Sequence, residues 1–213
     1  MRILVTGFDP FGGDIINPAL EAVMRLPEEI AGHRVERRAL PTQFRRSLEL
    51  LGDAVRTLGP DIVIAVGQAG GRAELSIERV AINVDDARIP DNAGAAPIDQ
   101  PIVPGGPAAY FTNLPLKAMV QALTSAGIPA KVSNTAGTFV CNHVLYGLMH
   151  LIATRFPRAR GGFIHIPFLP EQIGRHPGEP SMAVETVIAG LSKAIEVAAA
   201  RTDDLAIADG ATH

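Results

Sequence analysis

Asp61-Ile62-Val63-Ile64-Ala65-Val66-Gly67 decides the fold. Its unbroken apolar run lies between an aspartate and a glycine. This is the pattern of a short strand buried on both faces, as in the interior of a parallel sheet. Working outward, the preceding Ser47 to Leu58 has helical character, and strand-like and helix-like segments alternate along most of the chain. Arg2 to Thr6, Val35 to Leu40, Lys131 to Ser133 and Gly162 to Ile166 read as further strands. Leu116 to Ser125, Cys141 to Phe156 and Met182 to Ala200 read as helices. A helix also starts at Asn17-Pro18, a capping side chain followed by a first-turn proline, with Leu20, Val23 and Met24 expected inward. The alternation predicts an α/β domain with three layers, an open, twisted, largely parallel sheet flanked by helices. One domain is expected over residues 1–202, with 203–213 as a flexible tail.

Two segments are less regular. Residues 74–84 read as one strand, whose period of two puts Glu78 on the face of Val80 and Ile82. Residues 85–107 are rich in Pro, Gly, Asp and Asn and are too long for a passive connector, so they form a candidate wall or lid of a site.

Composition narrows the function. The 213 residues carry 19 Lys plus Arg against 22 Asp plus Glu, a net charge of -3, which gives no basic field for nucleic acid. No stretch approaches the roughly 18 apolar residues of a membrane span. The opening Met1-Arg2-Ile3-Leu4-Val5 is too short for a signal-peptide core, so a cytoplasmic protein without membrane or nucleic-acid partners is expected. No GxGxxG, GxxxxGK[ST] or HExxH motif occurs, and the six His show no ligand spacing, so neither a metal nor a cofactor is expected.

The single Cys, Cys141, forms no internal disulfide and no multi-thiolate metal site. Its place in the first turn of a helix changes its meaning. The positive end of the helix dipole and unpaired amides there favour a thiolate and stabilise an oxyanion. A nucleophilic thiol needs a base. His143 is two residues away and points to another helix face, whereas His165 ends a core strand at the sheet edge where helices begin. A carboxylate must then orient His165, and spacing leaves Glu78, Asp85 and Asp86 all open.

These motifs resemble the pyroglutamyl-peptidase I (pyrrolidone-carboxylate peptidase) family of cysteine peptidases. The resemblance runs from Thr6-Gly7-Phe8-Asp9-Pro10-Phe11-Gly12-Gly13 through Asn17-Pro18 to Phe163-Ile164-His165-Ile166-Pro167 and Leu169-Pro170-Glu171-Gln172. Its strongest stretch is Ser133-Asn134-Thr135-Ala136-Gly137-Thr138-Phe139-Val140-Cys141-Asn142. The blocks Gly67 to Arg72 and Glu78 to Asn92 agree in order and spacing. The resemblance implies Cys141 as nucleophile, His165 as general base and acid, Glu78 as the triad carboxylate, and Arg88 near the oxyanion. It also implies a homo-oligomer, tetramer or dimer, that removes an N-terminal pyroglutamyl residue from small peptides. Pyroglutamate is a flat, uncharged lactam, which calls for apolar walls and a few hydrogen bonds. Phe8 and Phe11 are the candidate walls, with Asn17 and Gln68 as further substrate-binding candidates. A catalytically idle ligand-binding relative and a hydrolase of another cyclic amide are the alternative readings. The sequence departs from the family at Ala19-Leu20, where Ser-Trp often follows Asn-Pro, and it contains no Trp.

Overall fold

A computed structural model describes residues 1–209. The chain opens with β1 (Arg2–Phe8), buried from Ile3 onward. A Cβ on Gly7 would stand 2.6 Å from the Ala19 carbonyl oxygen, so the next element, α1 (Pro18–Met24), lies directly on the strand. Asn17 caps α1 by accepting the Ala19 amide, and Pro18 occupies the turn where its missing N–H costs nothing. The buried face of α1 is Pro18, Ala19, Ala22 and Val23, whereas Met24 is exposed and Leu20 half-buried. The expected inward Leu20 and Met24 are thus corrected. A helix pressed against Gly7 accommodates alanines better than long side chains.

A short antiparallel pair follows, β2 (Glu29–Ile30) and β3 (His33–Leu40). Next come α2 (Arg46–Leu58), closed by Gly59 in the left-handed conformation, and β4 (Ile62–Gln68), buried through Gly67. The remaining elements are β5 (Leu75–Glu78), β6 (Val80–Ile82), β7 (Ala109–Phe111), α3 (Leu116–Ser125), β8 (Ala130–Ser133), α4 (Val140–Arg155), β9 (Arg160–Ile166) and α5 (Val184–Ala200).

Seven strands form one sheet in the order β2-β3-β1-β4-β9-β5-β8. β3, β1, β4 and β9 are mutually parallel, with β4 at the centre as its apolar run predicts. β5 runs antiparallel to β9 and carries β8 parallel to itself, so two strands enter from the opposite end. The alternation of side chains divides the core. Ile62, Ile64 and Val66 face the layer of α1, α3 and α5, and Val63 and Ala65 face that of α2 and α4. Each fully buried Ile or Val contributes about 1.5–3 kcal/mol relative to exposure.

The expected continuous strand over 74–84 is corrected. It breaks at Arg79: β5 stays in the main sheet, while β6 pairs with β7 in a separate two-stranded sheet. Arg79 spends its amide on the Ser133 carbonyl and its own carbonyl on the Thr112 amide, which turns the chain out of the ladder. Glu78 therefore does not share a face with Val80 and Ile82. It lies with Ser76 on the α4 side of β5, opposite Leu75 and Ile77.

Beyond α5, the Asp204 carboxylate accepts the backbone amides of Lys117 and Ala118 and so caps α3, which has no side-chain cap of its own. The part of the expected tail at 210–213 lies outside the described residues. No helix among those described is long and apolar enough to cross a membrane.

Candidate active site

The site forms at the carboxyl ends of β4 and β9, where α4 begins. Phe139, in an extended conformation, precedes α4 and supplies no side-chain cap, so the first-turn amides have no intrahelical partner and stand open. Cys141 is the second residue of that turn and is partly exposed. Beneath it, Gly67 of β4 has no room for a side chain. A Cβ there would lie 2.9 Å from the Cys141 Sγ and 2.7 Å from the Phe163 ring. Gly67 is register partner to His165 on β9. His165 shares the α4-facing side of its strand with Phe163, their rings 4.7 Å apart. One glycine therefore makes space for the thiol beside the imidazole.

His165 is almost completely buried, and its Nδ1 lies 2.7 Å from Glu78 Oε1. A carboxylate facing Nδ1 holds the proton on that nitrogen and leaves Nε2 as the free base. Glu78 reaches His165 because β5 is antiparallel to β9: Ser76 pairs with His165, and Glu78 lies two residues further on the same face. Its Oε1 also accepts Arg72 Nη1 at 2.7 Å. Arg72 is braced in turn by the Thr135 carbonyl at 3.1 Å and Ser133 Oγ at 3.4 Å.

Burial dominates the protonation of both Cys141 and His165. It pushes the Cys141 thiol up to about 12, with the Glu78 charge adding to the effect and Arg72 opposing it. It also holds His165 below its usual 6.5, against the pull of Glu78. Against the expected helix-start thiolate, desolvation at the thiol acts toward the neutral form.

A family model described as pyroglutamyl peptidase matches residues 1–201. A pyrrolidone-carboxylate peptidase from Erwinia tasmaniensis is 59% identical over 100% of this chain and 99% of its own. Pyrrolidone-carboxylate peptidase 1 of Ralstonia nicotianae is 61% identical over 99% of each. The crystal structure of pyroglutamyl peptidase I from Bacillus amyloliquefaciens superimposes with a TM-score of 0.95, covering 97% of this chain and 99% of that one at 48% identity. The chain belongs to the pyroglutamyl peptidase family. It is a hydrolase, a cysteine-type omega peptidase.

Within this pyroglutamyl peptidase fold the other residues singled out from sequence take distinct positions. Phe8 is buried and packs against Phe163, with ring centroids 6.2 Å apart. Phe11 is half-buried, 6.1 Å from the Phe139 ring, two residues before Cys141. Asn17 uses both ends of its carboxamide, one capping Ala19 and the other donating to the Asp9 carbonyl. Gln68, at the end of β4, accepts a hydrogen bond from Gln172, which also reaches Asp14. Arg88 is exposed, two residues beyond Asp86, whose amide and carbonyl both bond to Thr138. The other carboxylate candidates are elsewhere: Asp86 is exposed, and Asp85 pairs with His143 at 2.8 Å.

Sequence reasoning missed Arg72, Phe139, Gly67 and Asn142 as individual residues. Asn142 pins the 82–84 backbone to the start of α4 through bonds to Ile82 and Val84. All four stand inside quoted motifs, but only the third dimension separates their tasks. The 85–107 segment is fastened too. Asp91 accepts the amides of Phe44, Ala93 and Ala95, and Asn92 donates to Asp9 and Pro10.

Proposed function

We propose that this peptidase removes an N-terminal pyroglutamyl residue from peptides through a thioacyl-enzyme, with Cys141, His165 and Glu78 as its triad. The His165–Glu78 hydrogen bond carries the reading. It supports Nδ1 as the donor and leaves Nε2 without a hydrogen-bond partner among the described residues. His165 Nε2 takes the thiol proton as Sγ attacks the pyroglutamyl carbonyl. A thiol held near 12 makes this transfer part of the attack rather than a prior ionisation. The open first-turn amides of α4 receive the oxyanion, with Arg88 assigned to support it. His165 then returns the proton to the leaving amine as the C–N bond breaks. In the second half, His165 takes a proton from water, the hydroxyl adds to the thioester, and pyroglutamate leaves as the thiol is reprotonated. Glu78 steadies each imidazolium formed on the way.

Phe11 and Phe139 offer apolar surface beside Cys141 suited to a flat lactam, and Phe8 backs the site through Phe163. Gln68 and Asn17 are assigned to its polar rim, Asn17 through the backbone it holds. We place the enzyme in the cytoplasm as a homo-oligomer, tetramer or dimer. Exposed Phe111 and Ile98 are consistent with subunit contact, and a sizing measurement tests this.

The deciding experiment is amine release from a pyroglutamyl-amide reporter, compared with prolyl and glutamyl analogues, for the parent and Cys141→Ser. Release confined to the pyroglutamyl reporter and abolished in Cys141→Ser is expected. No release by the parent, equal release from the analogues, or undiminished release by the variant defeats the assignment.

A further inference from the structure

We propose that Arg72 is a positioning residue of this site: its guanidinium, fixed on Glu78 Oε1, is the countercharge that keeps the carboxylate from drawing a proton onto His165, which stays an unprotonated base. The inference rests on the triad reading given above.

Glu78 is fully buried, and its Oε2 has no hydrogen-bond partner among the described residues. Both of its side-chain contacts, Arg72 Nη1 and His165 Nδ1, converge on Oε1 at 2.7 Å. A neutral imidazole N–H satisfies a lone pair without compensating a charge, so Arg72 is the one fixed cation in contact with this carboxylate among the described residues. Without it, a carboxylate so placed has only His165 to compensate it and draws a proton onto that ring, and the base is lost.

The guanidinium is itself built into place. Gly70 lies so close to Phe168 that a Cβ would stand 2.7 Å from its ring, and Gly71 turns the chain at φ 79°. The loop then delivers Arg72 to Glu78, Ser133 Oγ and the Thr135 carbonyl together. Three acceptors in different directions suit a guanidinium fork better than the point charge of a lysine.

The sign of the effect follows from what faces His165: Glu78 from β5, Arg72 from the loop after β4, Cys141 from the start of α4, and the Phe163 ring from its own strand. Of these, Glu78 favours the imidazolium, and Arg72 opposes it together with burial. His165 acts as a base only when unprotonated, so kcat/KM falls as pH drops through a value below 6.5 in the parent. Removing the Arg72 charge moves that acid limb upward.

The test compares the parent with Arg72→Gln, Arg72→Met and Arg72→Lys, each checked for folding by circular dichroism. Two uncharged variants are made so that a folded one is in hand. Two quantities are read: the pH profile of kcat/KM on a pyroglutamyl-amide reporter, and NMR titration of the His165 ring, assigned with His165→Asn. The uncharged variants are expected to shift both the acid limb and the ring titration upward by about one pH unit. Arg72→Lys is expected to retain the parent limb while losing several-fold in kcat. Unshifted titration in a folded uncharged variant, or an equal shift in Arg72→Lys, overturns the role. A parent inactive on the reporter whose ring titration still responds to Arg72 removes the substrate assignment and leaves the electrostatic role standing. An active parent with unmoved titrations does the reverse.

Discussion

Gly67→Ala tests whether the space beneath the thiol is part of the machinery. The added methyl would meet the Phe163 ring at 2.7 Å and Cys141 Sγ at 2.9 Å, where ordinary contact begins at 3.4 Å. Backbone retreat is limited, because Gly67 is paired with His165 of β9 and β4 is buried throughout this stretch. The side chains must yield instead, Sγ by about 0.5 Å and the ring by about 0.7 Å, in a core packed to the density of a crystal. Phe163 cannot absorb this quietly, since His165 lies against its ring on one side and Phe8 on another. Displacing the proposed nucleophile and its base by such amounts costs roughly 10- to 100-fold in kcat, and the overpacking costs about 1–3 kcal/mol of stability. Steady-state kinetics on the pyroglutamyl reporter and urea unfolding read the two effects separately. A stable Gly67→Ala protein with kcat within threefold of the parent refutes the placement of Sγ over this glycine.

Two further perturbations separate orientation from stability. Glu78→Gln keeps the shape of the side chain but removes the charge that fixes the His165 tautomer, so kcat falls roughly 10³- to 10⁴-fold on the same reporter; a loss under tenfold contradicts the triad. His143→Gln strips Asp85, only 6% exposed, of its partner and lowers stability by about 2–3 kcal/mol in urea unfolding, with the acid limb of kcat/KM unmoved; a shifted limb shows His143 titrating in the reaction.

What was legible from the sequence depended on local signals. The apolar run after Asp61 announces a central strand because no solvent-facing position interrupts it, and β4 is that strand. The start of α4 and the end of β9 are equally local, and the structure has Cys141 in the first turn of the one and His165 near the end of the other. The direction of β5 is not local. Nothing in Leu75 to Glu78 says which neighbour it pairs with, and reading it through Arg79 into Val80 to Ile82 placed Glu78 on the wrong face. The break at Arg79 comes from partners at Ser133 and Thr112, both more than thirty residues away. Short pairings such as β2 with β3 and β6 with β7 escape for the same reason, since two or three residues carry too little periodicity to be seen. Thiol ionisation differs in another way: helix position argues for a thiolate, whereas the desolvation that pushes the thiol up to about 12 is a property of the packed molecule.

Two buried carboxylate–histidine pairs flank the same helix start, and their surroundings separate the proposed base from a structural pair. His143 Nδ1 meets Asp85 at 2.8 Å, much as His165 Nδ1 meets Glu78 at 2.7 Å. The partner on the other ring nitrogen separates them. His143 Nε2 accepts the Arg45 amide at 2.9 Å, so its lone pair is spent holding the start of α2, where Arg45 stands at φ 60°, a conformation uncommon for any residue but glycine. His165 Nε2 has no such partner among the described residues and lies on the side of the sheet to which Gly67 admits the thiol. A carboxylate behind a histidine therefore does not make a base. The same dyad is a structural clasp where a backbone amide takes up Nε2, and in the proposed triad it is available for proton transfer where the strand beside it gives up a side chain to make room for the thiol.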